Sequence, residues 1–412
     1  MQLKVGSGQL PVGWEIKYLD KLCENLDSKR VPITKSSRKS GNIPYYGASG
    51  IVDYVAHYIF EEDLLLVSED GANLLARTYP IAFSITGKTW VNNHAHVLRF
   101  KEKITQSFIE YYLNSISLEQ YVSGMAQPKL NQKSLNSIAI PFPSLPEQKQ
   151  IVANLDEAFE GIDRAIANAE KNLANARELF ESYLNAIFTQ KGDGWEEVEL
   201  GALSERITKG SSPKWQGINY VDEPGILFVT SENVGENQML FEKTKYVEEA
   251  FNEKDSKSIL SFGDVLTNIV GASIGRTAIY DREDLANINQ AVCLIRCKSD
   301  KLLNKYLSYL LNSPYFRQIL HDNEINNARA NLSLGFFRGL QIPLPSLAEQ
   351  QSIVSKMDDL SSETQRLETI YRQKIAALNE LKQSILQKAF TGELTADTAN
   401  QTTKAANEGI AA

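Results

Sequence analysis

The sequence predicts an α/β fold of mixed α+β type, in which two similar globular blocks alternate with two long antiparallel coiled-coil helices as an internal pseudo-two-fold repeat. Two repeated segments lead to this prediction. Residues 140–152 (IPFPSLPEQKQIV) recur as residues 342–354 (IPLPSLAEQQSIV), 202 positions later. The tripeptide GWE at residues 13–15 recurs at residues 194–196, 181 positions later. Self-similarity of this kind indicates that the chain is a duplication.

Each block is followed by a stretch with the pattern of a long helix. Pro146 and Glu147 suit a first helical turn, where a missing N–H costs little and a carboxylate favours the helix dipole. From residue 146 to residue 188 such a helix would be roughly 64 Å long at 1.5 Å per residue. Spacings of 3 and 4 are typical of a coiled-coil seam and relate Leu155, Phe159, Ile162, Ile166, Ala169, Leu173, Ala176, Phe180, Tyr183 and Ile187. The second copy keeps its stripe through Met357, Leu360, Leu367, Tyr371, Leu378, Leu381 and Ile385, with Thr364 and Lys374 interrupting it.

Segments rich in β-branched and aromatic residues predict short strands in both blocks. They are residues 51–60, 63–67 and 91–100 in the first block and residues 226–230, 264–269 and 288–296 in the second. Residues 106–117 and 302–312 predict amphipathic helices. The predicted organisation is a first block at 1–143, a helix at 144–190, a second block at 191–345, a helix at 346–392 and a disordered tail at 393–412.

The composition is that of an ordinary globular protein, with 42% hydrophobic and 23% charged residues. Three cysteines in 412 residues fit a reducing compartment better than a disulfide framework or a zinc site. Because no apolar run resembles a membrane span or a secretory signal, we expect a cytoplasmic protein. The net charge of −8 argues against nucleic acid as a partner. Residues 1–140 nevertheless carry a net charge of +2, which is compatible with a basic face on the first block.

A cationic loop in the first block is the strongest candidate for contact with nucleic acid. Residues 28–41 (SKRVPITKSSRKSG) contain no acidic residue and five cations, which are Lys29, Arg30, Lys35, Arg38 and Lys39. Two tyrosines, Tyr45 and Tyr46, follow this run. Cations among small hydroxyl residues suit phosphate contact, and a solvated basic loop is an equal alternative. In the second block, Asn, Gln and Arg side chains could read base edges or simply form turns. The candidates there are Lys209, Lys214, Arg276, Asn289, Gln290 and Arg329.

Patterns that would indicate catalysis by this chain are weak. Residues 82–89 (AFSITGKT) fit a permissive phosphate-binding loop, but bulky residues and a following strand favour a turn over an ATP site. Residues 255–257 lack the preceding Pro-Asp of a nuclease metal cluster and are interpreted as solvated charge. His94 and His96 alternate on one predicted strand. Without a third ligand nearby, a polar contact face is favoured over a metal site.

The arrangement of these motifs resembles the specificity subunit of type I restriction-modification enzymes. The resemblance is carried by the Gly-Trp-x-x-x-x-Leu start, by the Pro-x-Pro-x-Leu-x-Glu-Gln-x-x-Ile-Val helix opening, and by the duplication of both. Residues 43–51 (IPYYGASGI) and 86–99 (TGKTWVNNHAHVLR) are similar to target-recognition-domain segments of that family. The second of these segments adds Lys88, Asn92, Asn93 and His94 to the candidates for DNA binding.

The resemblance implies two target recognition domains, two spacer helices and double-stranded DNA as the ligand. It also implies two methyltransferase (M) subunits that bind S-adenosylmethionine, and restriction (R) subunits that use ATP and Mg²⁺. The chain itself would then have no cofactor, metal site or catalytic residue. It would read a bipartite asymmetric site and direct adenine methylation or cleavage by its partners.

Three alternatives remain open from the sequence. One is the recognition subunit of a related methyltransferase system that lacks the type I motor. Another is a coiled-coil scaffold that binds no DNA. The third is an ATPase built on Gly87, Lys88 and Thr89.

Overall fold

The computed structural model describes residues 10–124, 127–192, 194–326 and 330–394. The chain divides into two compact units, one formed by parts of residues 1–169 and 373–412 and the other by residues 170–372. Within the described ranges, no helix combines the length and the apolar character needed to cross a bilayer. Most of the predicted tail, residues 395–412, lies outside the described residues.

The first block is built from short strands and three helices before the first long helix begins. Its strands are β1 Glu15–Tyr18, β2 Glu24–Asn25, β3 Ser40–Gly47, β4 Gly50–Val55, β5 Phe60–Glu61, β6 Leu64–Ser68, β7 Ala82–Ile85, β8 Lys88–Val91, β9 Ala95–Arg99 and β10 Ala139–Phe142. Its helices are α1 Asn73–Ala76, α2 Lys103–Ser115 and α3 Gln132–Asn136, and the long helix is α4 Leu145–Thr189.

The second block has a similar set of elements and also ends in a long helix. Its strands are β11 Glu196–Glu199, β12 Ser204–Lys209, β13 Tyr220–Val221, β14 Ile226–Val229, β15 Tyr246–Val247, β16 Val265–Asn268, β17 Thr277–Ile279, β18 Ala286–Ile288, β19 Val292–Cys297, β20 Ile325–Asn326, β21 Ala330–Asn331 and β22 Gln341–Leu344. Its helices are α5 Ala250–Lys254, α6 Asn304–Asn312, α7 Pro314–Asp322 and α8 Leu334–Gly339, followed by α9 Leu347–Thr391.

The sheets of the two blocks repeat one topology. The strand order β2-β9-β6-β7 in the first block matches β12-β19-β16-β17 in the second. Neighbouring strands in both of these sheets are antiparallel. In each block a second sheet holds one parallel pair, β3 with β8 and β14 with β18. The first and last strands also pair in each block, β1 with β10 and β11 with β22. The predicted duplication of a mixed α/β block is confirmed.

The two long helices run antiparallel within each unit. In the first unit, Lys382 of α9 bonds Asp163 of α4 at 2.8 Å and lies over the ring of Phe159. In the second unit, Arg177 of α4 pairs with Glu368 of α9 at 2.6 Å. Within the second unit, Tyr183 of α4 lines one cavity with Lys356 and Leu360 of α9. A later position on α4 thus lies beside an earlier position on α9, as expected for the predicted antiparallel pairing.

The repeated motifs at the helix openings make the same contacts in both blocks. Trp14 donates its indole N–H to Glu147, and Trp195 donates to Glu349, each at 2.9 Å. These bonds tie the start of each block to the first turn of the helix that follows it. The Gly-Trp and Glu-Gln motifs therefore have a structural role in closing the block.

The far end of each long helix enters a globular core. Phe188 of α4 packs edge-on against Tyr306 at 5.5 Å, inside the second unit. Phe390 of α9 packs in the same way against Phe108 at 5.3 Å, inside the first unit. Trp14 contacts Phe108, and Trp195 contacts Tyr306, each at 6.5 Å between ring centroids. Each core is thus closed by a tryptophan at its start and a phenylalanine from a helix end.

Two of the predicted seam positions near the helix ends are wrong, whereas Ile187 and Ile385 are partly buried against the cores. Tyr183 and Leu381 are exposed, whereas Leu184, Phe188 and Phe390 are buried. An ideal α-helix drifts by about 20° per heptad against a strict seven-residue repeat. After five heptads the drift equals about one residue, and the buried face moves from Tyr183 to Leu184.

The strand predicted at residues 91–100 is also wrong as a single element. The chain forms β8, turns at residues 92–94 and continues as β9, and these two strands belong to different sheets. The turn is held by the side-chain oxygen of Asn92, which accepts the backbone N–H of His94. Lys88 begins a strand and no helix follows it, which excludes the phosphate-loop geometry of an ATPase at residues 82–89.

Candidate nucleic-acid interface

One edge of the main sheet in the first block gathers candidate residues that are distant in sequence. Because neighbouring strands are antiparallel, the ends of β2 and β6 and the starts of β7 and β9 lie at this edge, which we call the first loop edge. Lys29 and Arg30 follow β2, and Asn92, Asn93 and His94 precede β9. Strand pairing therefore brings two of the predicted segments together.

The corresponding edge of the second block, the second loop edge, gathers a comparable set. Lys209 ends β12 and lies opposite Cys293 of β19. Asn289 and Gln290 lie in the turn before β19, and Arg276 immediately precedes β17. Lys214 lies on the loop that leaves this edge after β12. Arg329 is outside the described residues.

Two asparagines hold equivalent turns at the two loop edges. Asn92 Oδ1 accepts the backbone N–H of His94 at 2.8 Å, and Asn289 Oδ1 accepts that of Ala291 at 3.0 Å. The backbone N–H of each asparagine bonds a carbonyl of the neighbouring sheet, Asn92 to Tyr46 and Asn289 to Val229, both at 3.0 Å. Such turns are a common use of asparagine.

The side chains of Asn92 and Asn289 are thus used to build the turns. Each amide oxygen is bonded within its turn, so contact with a base edge through Asn92 or Asn289, which the sequence predicts, would use the amide nitrogen as a donor. The side chains of the next residues, Asn93 and Gln290, form no hydrogen bond with the described part of the fold. Asn93 is exposed, and Gln290 is half-buried like Asn289, so the oxygen and the nitrogen of both amides are available to a ligand.

Arg30 belongs to a buried ion cluster at the first loop edge. Its guanidinium donates to Glu69 at 2.6 Å and to the carbonyl of Ala95 at 2.8 Å, and it lies 3.5 Å from Asp27. His96, only 1% exposed, bonds Asp27 at 2.6 Å through Nδ1 and the carbonyl of Leu130 at 2.7 Å through Nε2. Arg30 is therefore turned inward, in contrast to its neighbour Lys29, which is exposed.

The cluster lowers the pKa of both its carboxyl groups. Burial raises the pKa of Asp27, but the hydrogen bond and charge of His96, the backbone N–H of Val97 and the charge of Arg30 outweigh it. Burial also raises the pKa of Glu69, but the hydrogen bond from Arg30 and the charges of His96 and Arg30 lower the pKa by more. Both groups are held as carboxylates.

The same cluster could be mistaken for a metal site. Ligand atoms of Asp27, Glu69 and His96 lie within 4.8 Å of one another. The guanidinium of Arg30 already supplies a cation between the two carboxylates, and Lys129 lies 3.2 Å from Glu69. The arrangement is therefore that of a salt-bridge network.

His94 and His96 do not share a face, contrary to the prediction. His94 lies in the turn before β9 and is exposed, with Nδ1 at 2.8 Å from Asp70. His96 lies on β9 and points into the buried cluster. The residues were predicted to alternate on one strand, and the turn held by Asn92 breaks that alternation. The predicted polar contact face can include only His94.

The remaining candidates of the first block lie along its second sheet. Arg38 bonds Asp53 at 2.9 Å and lies over the ring of Tyr45, which is buried. Lys35 and Lys39 are exposed on the same loop. Arg38 and Tyr45 therefore fix the loop, while the two lysines face solvent.

Tyr46 and Lys88 are the last two of these candidates. Tyr46 is half-buried beside Phe83, and burial raises its pKa. Lys88 is exposed over the ring of Tyr58 and 3.7 Å from Glu61. Because β3 and β8 are parallel, Lys88 at the start of β8 lies at the end of the small sheet opposite to Tyr46.

Trp215 of the second block is a candidate contact residue that the sequence analysis did not identify. Trp215 follows Lys214 and is 80% exposed, the largest exposure of any aromatic side chain among the described residues. A bulky aromatic inside the turn-forming segment GSSPKWQG was a signal that could have found it.

Comparisons with known proteins agree with this architecture. The family model for the type I restriction modification DNA specificity domain matches residues 11–173 and 192–377, one match for each half of the duplication. A Haemophilus influenzae chain described as a type I restriction enzyme specificity subunit is 28% identical over 85% of this chain and 88% of its own length. The MjaVIII specificity subunit of Methanocaldococcus jannaschii is 22% identical over 94% of both chains.

A solved chain of a type I restriction-modification system has the same fold. It is 20% identical, with a TM-score of 0.72, and the match covers 94% of this chain and 100% of that chain. The two family matches span most of the sequence, and each covers one block and part of the long helix that follows it. The chain therefore belongs to the type I restriction modification DNA specificity family, the family of the specificity (S) subunits.

Proposed function

We propose that this chain reads a bipartite asymmetric DNA site, with the first loop edge contacting one half-site and the second loop edge contacting the other. The proposal rests on one observation: the same backbone turn occurs in both blocks and carries different side chains. Equivalent turns present Asn93 and His94 in the first block and Gln290 and Ala291 in the second. Different side chains on equivalent frames would select different bases, so the two half-sites would differ in sequence.

The chemistry of the two edges suits double-stranded DNA. Lys29, Lys209 and Arg276 are exposed cations that can neutralise phosphates and fix the position of the duplex. The amides of Asn93 and Gln290 can donate to and accept from a base edge. His94 is oriented through Nδ1 by Asp70, which leaves Nε2 available to a ligand.

Catalysis would belong to partner subunits. Membership of the specificity family supports association with methyltransferase subunits, which we propose to be two, and with restriction subunits in the full complex. S-adenosylmethionine, ATP and Mg²⁺ would bind those partners. The chain would direct adenine methylation or cleavage without catalysing either, and the complex would act on DNA in the cytoplasm.

The decisive experiment is a map of methylated adenines in a host that expresses this chain with its methyltransferase. We expect one new motif with two different half-sites separated by unread bases. Asn93→Ala should relax the choice of base in one half-site only, and Gln290→Ala should do so in the other half-site only. Lys101→Ala, at the other end of β9, is the matched control and should leave the motif unchanged.

Two results would contradict the proposal. One is the absence of any motif that depends on this chain when both subunits are present. The other is methyl transfer to DNA by the purified chain alone with S-adenosylmethionine, which would place catalysis in the chain itself.

A further inference from the structure

Trp215 is an unusually exposed residue for its type. Its side chain is 80% exposed, whereas Trp14 is 7% exposed and packs in the first core. Tryptophan offers a large apolar face, and burying that face on binding releases more free energy than for most side chains. An indole held in water at a defined position is therefore a common mark of a binding contact.

The turn that carries Trp215 is held rigidly. Ser211 donates its hydroxyl to Asp255 at 2.6 Å and accepts the side-chain amide of Gln216 at 3.1 Å. Lys254 donates to the carbonyl of Gln216 at 2.6 Å. Gly217 closes the turn at a φ of 68°, a conformation that favours glycine. The backbone that carries the indole is thus held in place, which reduces the backbone entropy lost when the indole binds a partner.

The turn follows directly from the second loop edge. It begins after Lys209, at Gly210, where an added Cβ would lie 1.7 Å from the carbonyl oxygen of Ile288. Only a glycine fits this approach, and it holds the loop against the residue that precedes Asn289. Lys209 and Lys214, both exposed, lie on either side of this segment.

The position of the turn in the repeat favours DNA as the ligand. Residues 210–225 connect β12 to β14, as residues 26–39 connect β2 to β3 in the first block. The loop of the first block carries the cationic run, including Lys35 and Lys39, and no aromatic residue. The equivalent segment of the second block has one cation, Lys214, and two exposed aromatic side chains, Trp215 in the turn and Tyr220 in β13.

We propose that Trp215 is a stacking contact to DNA, with its indole placed against the face of a base in the second half-site. This inference rests on the proposed function and assigns a residue to it. Aromatic side chains stack on the bases of single strands with little preference for sequence, and apolar side chains can insert between the base steps of a duplex, where they partly unstack them. Lys209 and Lys214 would bind the phosphates that flank the step. The two half-sites would therefore be held by different means, the first mainly through cations and the second through an indole.

The test uses the assembled complex of this chain with its methyltransferase and a duplex that carries the mapped site. Trp215→Ala should weaken binding by roughly 5- to 150-fold, the range that corresponds to loss of one stacked base, and Trp215→Phe should restore most of it. Phe262→Ala is the matched control. Phe262 is 69% exposed in the same block but precedes β16, at the opposite edge of the sheet, and its removal should leave affinity unchanged.

A second readout locates the contact. The adenine analogue 2-aminopurine, placed one position at a time through each half-site, reports local stacking by its fluorescence. We expect binding to change the emission at one step of the second half-site for the wild-type complex and not for Trp215→Ala. The thermal stability of Trp215→Ala should match that of the wild type, because the side chain makes few contacts in the fold.

The outcomes separate this inference from the function on which it rests. If the wild-type complex does not bind the duplex, the proposed function fails. If the wild-type complex binds and Trp215→Ala binds equally well, only the stacking contact is refuted. If Trp215→Ala folds but no longer co-purifies with the methyltransferase, Trp215 is a contact between proteins and the inference is overturned.

Discussion

Trp195 donates its indole N–H to the carboxylate of Glu349 at 2.9 Å, across 154 residues of sequence. Trp14 and Glu147 form the same bond at the same distance in the other half of the chain. The bond joins the first residues of a globular block to the first turn of the helix that follows it. A block and its helix are thus fastened at the point where the chain passes from one to the other.

Removing the indole donor should destabilise the first block more than the second. Trp14→Phe should lower the free energy of unfolding by about 2 kcal/mol, because a hydrogen bond to a charged group is lost at a buried ring. Trp195→Phe should cost about 1 kcal/mol, since its bond is more exposed to solvent. Denaturant unfolding measures both, with Trp215→Phe as a surface control. Equal effects for all three variants would contradict the assignment of the bond.

Acid should destabilise the first block through Asp27 and Glu69. Both carboxyl groups have a lowered pKa in the folded state, so the folded chain binds their protons more weakly than the unfolded chain does. The stability they contribute is fully present above the unfolded pKa values near 4 and is lost as the pH falls through the lowered folded values. Unfolding followed between pH 7 and pH 2 should show this loss.

The variant Asp27→Asn isolates that effect. It leaves Arg30 and His96 without their shared carboxylate, so we expect a loss of about 3 kcal/mol at pH 7 and a weaker dependence on acid. Asp284→Asn removes an exposed ion pair with Arg282 and should change stability little. An acid dependence that Asp27→Asn leaves intact would show that other carboxylates are responsible.

The exposed lysines of the cationic loop should act on DNA affinity without affecting the fold. Replacing Lys35 and Lys39 with alanine should weaken binding of the assembled complex almost equally for all sequences. It should also reduce the slope of log affinity against log salt by about one for each phosphate that is no longer neutralised. Arg38→Ala should instead lower thermal stability, because Arg38 bonds Asp53 and covers Tyr45. An unchanged salt slope in the double lysine variant would identify the loop as solvated surface.

The phenylalanines at the helix ends should each support one unit. Phe188→Ala should destabilise the second unit, and Phe390→Ala the first, by about 4 kcal/mol each, the usual cost of truncating a buried aromatic residue. Hydrogen exchange should report faster opening of β19 in the first variant and of β9 in the second. Leu179→Ala, on an exposed position of α4, should change neither. Loss of protection in both units with either variant would contradict this assignment.

Local patterns in the sequence predict the duplication and the long helices well. The repeats near Trp14 and Glu147 can be recognised directly as matching sequence motifs. A helix is a local structure, so its hydrophobic periodicity can be counted along the sequence. The exact seam is harder, because the drift of 3.6 against 3.5 residues per turn accumulates and moves the buried face from Tyr183 to Leu184.

The loop edges depend on pairing between strands that are distant in sequence, and no local pattern specifies that pairing. Arg30 is an example. It belongs to an acid-free cationic run and resembles a solvated residue, yet its partner Glu69 lies 39 positions away. Asn92 and Asn289 were found as polar residues, but only the fold shows that their oxygens are bonded to the backbone.

The closure of each core by a tryptophan at its start and a phenylalanine from a helix end has a consequence for evolution. Both blocks are fastened by the same few groups in the same geometry, so one block could replace another wherever those groups are kept. Recombination could then exchange a whole block between related chains while both long helices remain unchanged. A new target sequence would arise in a single genetic event, without the gradual remodelling of a core.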